Sequence, residues 1–114
     1  MKPVQVYLGV PQTKTLPVFD TRNNEQVTIK QMIFTNTDAT DAKITVTVNT
    51  VDVMQNYVVP ANETKIIDMT IVLNPNNTLF LQQEKLNAIN VMISGVSDPI
   101  LTTTQPQPVT PSNY

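Results

Sequence analysis

The chain has 114 residues, enough for one compact domain with its own apolar core and too few for a second. It contains no cysteine and no histidine, so disulfides, thiolate chemistry, the commonest metal ligand and the usual neutral-pH general base are all excluded. A formal charge of −2, with only 14% charged residues, offers no basic footprint for a phosphate backbone, so nucleic acid is not an expected partner.

Taken in chain order, the sequence reads as about eight β-strands. Val4 to Leu8 and Thr15 to Phe19 come first, and Pro17 requires the second of them to lie at a sheet edge or carry a bulge. Val27 to Phe34 follows the turn residues Asp20-Thr21-Arg22-Asn23-Asn24. Lys43 to Asn49 alternates strictly, with Ile44, Val46 and Val48 on one face and Thr45 and Thr47 on the other. Val51 to Val59 is next, then Lys65 to Leu73, where Ile67, Met69, Ile71 and Leu73 are in phase. The opposite face of that strand keeps Ile66 and Val72, which predicts burial on both sides or an interface. Thr78 to Gln82 and Ile89 to Gly95 complete the set, with Ile89, Val91 and Ile93 facing the core. Gln82 to Asn87 is the one stretch with room for a helical turn.

The separators are rich in Asn, Asp, Thr and Pro, residues that tolerate turn dihedrals or bond their own backbone. Only two glycines are present, so Asn and Asp must take the left-handed turn positions. Short strands at regular spacing, with no helical repeat, predict an all-β antiparallel β-sandwich of jelly-roll type over residues 1–97.

After Gly95 the character changes, and Ser97-Asp98-Pro99 opens a tail. Residues 98–114 hold four of the nine prolines and are expected to form an extended arm reaching roughly 50 Å at polyproline geometry. Ile100, Leu101, Val109 and Tyr114 are its candidate anchors on a partner, through arm exchange between copies. Low charge combined with abundant Thr, Asn and Gln predicts a surface destined for burial against neighbours. The N-terminus lacks the apolar stretch of a signal peptide and no run is long enough to span a bilayer, so synthesis in a cytoplasm without membrane association is expected. The sequons Asn62-Glu63-Thr64 and Asn76-Asn77-Thr78 then read as chance matches.

Chemistry, if present, must come from carboxylates, hydroxyls and lysines. Asp38, Asp41, Asp52, Asp68 and Glu84, beside Lys85, are the acidic candidates for glycoside hydrolysis, and Asn36 to Asp41 offers oxygen ligands to a hard cation such as calcium. That loop lacks the glycine and terminal glutamate of a dedicated calcium site. The carboxylates read better as turn caps and strand-face solvation, so no enzymatic activity, cofactor or metal is expected. A carbohydrate- or receptor-binding module is the alternative, using the loops Thr35 to Ala42 and Asn74 to Thr78 at one end of the sandwich. The scarcity of aromatics, with no Trp, weakens it.

The segments Ile33-Phe34-Thr35-Asn36-Thr37, Ala42 to Val48, Val59-Pro60-Ala61-Asn62-Glu63-Thr64, Ile71-Val72-Leu73-Asn74 and Asn90 to Val96 together resemble small structural proteins of tailed bacteriophages and prophages. The likeness covers residues 25 to 97. It implies a virion component of the tail, baseplate, fibre or head-decoration type that assembles with itself as a trimer or higher ring and contacts other virion proteins. The resemblance supplies no catalytic residue. The chain departs from the pattern in its Pro-rich C-terminal arm and in a first strand region without a glycine-rich lead-in.

Overall fold

A computed structural model describes residues 1–100. Eight strands form in the expected order: β1 (Lys2–Gly9), β2 (Leu16–Asp20), β3 (Glu25–Asn36), β4 (Ala42–Val48), β5 (Val51–Val59), β6 (Thr64–Leu73), β7 (Thr78–Gln83) and β8 (Ile89–Pro99). They make two four-stranded antiparallel sheets, ordered β1-β8-β3-β6 and β2-β7-β4-β5. First pairs with last, second with seventh, third with sixth and fourth with fifth. The chain is thus one long double ribbon whose tip is the β4–β5 hairpin, wound over itself into two facing layers. This is the jelly-roll topology.

Alternation along the strands builds the core. Val27, Ile29, Met32 and Phe34 of β3 and Ile89, Val91 and Ile93 of β8 point inward from one sheet. They meet Ile44, Val46, Val59, Leu79 and Leu81 from the other. Burying each such aliphatic side chain contributes about 1.5–3 kcal/mol, which is what commits both sheets to a single register. The Phe34 ring also lies against Tyr57, with centroids 6.0 Å apart and planes tilted by 49°.

Among the described residues, Asn takes every left-handed position: Asn49, Asn56, Asn62, Asn76 and Asn87 all have positive φ, and neither glycine does. Gly95 is required for a different reason. It faces the bulge in β3 at Lys30, and a β-carbon there would overlap the Thr28 carbonyl oxygen. Pro17 sits, as its missing N–H demands, on the edge strand β2 beside a break in register before Phe19.

Three sequence expectations need adjustment. Gln82 to Asn87 forms no helical turn; β7 extends to Gln83 and the chain then bends and turns through Asn87. Thr47 was expected to face solvent with Thr45 but is only 8% exposed, its hydroxyl donating to Asp52 Oδ1 at 2.7 Å across a break in β4–β5 register. Finally, β8 passes the expected domain limit at Ser97. Asp98 and Pro99 pair with Gln26 and Glu25, and the Asp98 carboxylate accepts the N-terminal ammonium at 3.1 Å. Those two residues therefore belong to the sheet, since β3 begins early enough to offer them partners.

Candidate functional site

The carboxylates do not converge. Asp38 caps its own loop, accepting from the Ala39 N–H at 2.7 Å and lying 3.8 Å from the Lys85 ammonium; Lys85 also donates to Thr40. Asp41 accepts from the Ala61 N–H at 3.0 Å and Asp68 from the Gln31 side chain at 3.1 Å. Asp52 and Asp68 stand on different sheets, and Glu84 is exposed in the β7–β8 turn. Among the described residues, no group of three or more acidic side chains is placed to hold a metal ion. The Asn36 side chain, the first oxygen of the imagined calcium loop, is instead buried: its amide donates to the Thr40 and Val59 carbonyls and its oxygen accepts from the Asp38 N–H.

The two loops assigned to sugar binding lie at opposite ends of the sandwich. Thr35 pairs with Thr64, whereas Leu73, which leads into Asn74, pairs with Val27 at the other end of the same strands. Antiparallel pairing of β3 with β6 forces this separation, so a single site built from both loops does not exist. Of the proposed arm anchors, Ile100 is half-buried and its N–H donates to the Asn24 carbonyl of its own chain at 2.9 Å. Leu101, Val109 and Tyr114 lie outside the described residues.

What the fold does assemble is an apolar face, on the outer side of the β1-β8-β3-β6 sheet. Because Ile89, Val91 and Ile93 point inward, Asn90, Met92, Ser94 and Val96 of β8 point outward. The register carries each of these across the sheet. Leu8 pairs with Met92, Met92 with Ile33 and Ile33 with Ile66, giving one apolar row that crosses all four strands. Leu8 is 66% exposed, Ile66 63% and Met92 39%. A second row runs Pro3, Val96, Thr28, Val72, and a polar row, Gln5, Ser94, Gln31, Asp68, lies between them.

The bulge at Lys30 turns that side chain onto the same outer face. There it borders a shallow groove of about 430 Å³ with Pro3, Gln5, Met92, Ser94 and Val96. A smaller depression of about 160 Å³ lies among Leu8, Ile33, Asn90 and Met92. Sequence reading found only the β6 part of this face, through Ile66 and Val72. The rest was invisible because its members are brought together by pairing across the whole chain.

The other sheet exposes Leu16 of β2 and Val51, Val53 and Val58 of β5, but both of these are edge strands, and no exposed apolar row crosses from one to the other. Its polar side chains bond one another: Thr15 to Gln82 at 2.9 Å, Thr78 to Asp20 at 2.6 Å and Thr47 to Asp52, while Thr45 Oγ1 accepts from the Asn56 N–H at 3.1 Å. Edge strands are equally unsuited to adding a foreign strand, since β1, β2, β5 and β6 each pair with an irregularity in register.

Fold and site together define a jelly-roll domain in which one sheet carries exposed apolar rows across all four strands. Compared with known proteins, the chain matches no family model and no curated sequence.

Proposed function

We propose that the chain is a non-enzymatic structural protein of a tailed-phage virion, a decoration, tail, baseplate or fibre component. It acts through association with copies of itself and with neighbouring virion proteins, after synthesis in the host cytoplasm. The observation that carries this reading is the Leu8–Met92–Ile33–Ile66 row, an apolar band across all four strands of one sheet face, the kind of surface through which proteins contact one another. The jelly-roll architecture, which recurs in capsid proteins, supports it as fold-level analogy. So do the low charge and the turn-and-strand motifs described above.

The test is composition of the particle. Tailed particles purified from a strain that carries the gene should contain the chain in a fixed number of copies per particle, measured by quantitative mass spectrometry and located by labelled antibody. Particles that assemble and infect normally without it, and never contain it, would remove the reading.

A further inference from the structure

We propose that the outer face of the β1-β8-β3-β6 sheet is where a second copy of this chain packs, face to face, about a two-fold axis running along the strands between β8 and β3. The inference rests on the structural-assembly reading and names its surface.

The face is complementary to itself. Such an axis exchanges β8 with β3 and β1 with β6 while leaving each cross-strand row at its own height. Leu8 then meets Ile66 of the second copy, and Met92 meets Ile33. In the second apolar row, Pro3 meets Val72 and Val96 meets Thr28, all read directly from the register. In the polar row Gln5 comes opposite Asp68, and Ser94 opposite Gln31. Apolar groups thus oppose apolar groups, with the Thr28 methyl among them, and the carboxylate is offered an amide donor. Asp68 Oδ1 is already bonded to Gln31, and its second oxygen has no partner among the described residues. Lys30, on β3 beside the axis, comes nearer its own symmetry mate than Asp68 of the second copy, so its long side chain must carry the ammonium out to solvent while the face packs. An isologous contact requires this kind of matching, because every residue must suit its own symmetry mate. The other sheet confines its exposed apolar side chains, Leu16, Val51, Val53 and Val58, to its two edge strands, so they do not form rows that could match themselves across such an axis.

The size of the contact sets its strength. Four strands spaced about 4.8 Å apart, and six residue steps of about 3.3 Å from Asn90 to Val96, outline roughly 400 Å² per copy in projection. Two such faces total roughly 800 Å², below the area of about 1,000 Å² that a stable specific interface buries, so the isolated pair should associate weakly, with Kd on the order of 100 μM, and be secured in a particle by high local concentration. The contact makes pairs; a ring closed through other surfaces would be joined to a second ring by it.

The absence of cysteine makes the test direct. Leu8 and Ile66 lie on opposite edge strands of one sheet, three strand spacings or about 14 Å apart, farther than the roughly 10 Å that separates two packed sheet faces. In the Leu8→Cys/Ile66→Cys double variant, a short bis-maleimide reagent spanning the roughly 10 Å between packed sheet faces should therefore give a covalent dimer closed by two links, formed about tenfold faster than with either single variant. Adding Met92→Lys should abolish the cross-link and weaken association about tenfold in sedimentation equilibrium, with the thermal midpoint unchanged because Met92 lies outside the core. Association that persists without cross-linking and is indifferent to Met92→Lys would overturn this face while leaving the assembly reading intact. A chain that stays monomeric at every concentration and never cross-links would also overturn it, and presence or absence in the particle would then decide the broader reading separately.

Discussion

Gly95 lies directly against the backbone of Thr28, so close that a β-carbon on residue 95 would overlap the Thr28 carbonyl oxygen and touch Ile29 Cα. The obstacle is main chain in the middle of a sheet and has no rotamer to retreat into. Gly95→Ala should therefore destabilise the fold by about 3 kcal/mol or more, measured as a fall in the urea midpoint. An alanine variant within about 0.5 kcal/mol of the parent would show that β3 and β8 separate more readily than this packing allows.

Asn36 is the polar keystone of one end of the sandwich. Its buried side chain makes three hydrogen bonds to backbone, at 3.0 Å to the Thr40 carbonyl, 2.9 Å to the Val59 carbonyl and 2.9 Å from the Asp38 N–H. Asn36→Ala leaves those groups without partners in a region closed to water and should lower stability by about 3 kcal/mol. Asn36→Asp should not rescue it, because a carboxylate donates to neither carbonyl. Paired chemical-denaturation curves for the two variants check both statements.

The turn Asn74-Pro75-Asn76-Asn77 closes with the Asn77 N–H donating to the Asn74 carbonyl at 3.0 Å, and Asn76 has φ 67°. Proline in the second place and a left-handed residue in the third is the arrangement of a type II turn. Asn76→Gly should be neutral or stabilising by up to about 1 kcal/mol. Asn76→Val, whose branched side chain opposes positive φ, should cost about 1–2 kcal/mol. Thermal midpoints of the three proteins should rank Gly at or above Asn, and Val last.

Burial pushes the Tyr7 phenol above its ordinary value of 10.0, because the phenolate loses hydration there. The folded protein thus holds this proton more tightly than the unfolded chain does. Its contribution to stability is intact below pH 10 and is lost as pH rises through the higher folded value. Unfolding free energy should fall less steeply above pH 10 in Tyr7→Phe than in the parent. Equal slopes would show that this phenol does not govern the alkaline limb.

The sequence by itself determined where the strands lie and how the chain turns between them. Alternation such as Ile44-Thr45-Val46 is a local property, fixed by which side chains can share a half-buried pleat, and so are the Asn positions, since few other residues accept positive φ. It also disclosed that β6 has two apolar sides. Tertiary structure alone decided which strands became neighbours, because any order of eight amphipathic strands satisfies the same alternation. Pairing β1 with β8, and β8 with β3, set Leu8, Met92, Ile33 and Ile66 in one row although they are scattered over nearly the whole domain. The same pairing sent the two loops once assigned to a sugar to opposite ends. A surface assembled by long-range register leaves almost no local trace, so the candidate site became legible only when the sheets were formed.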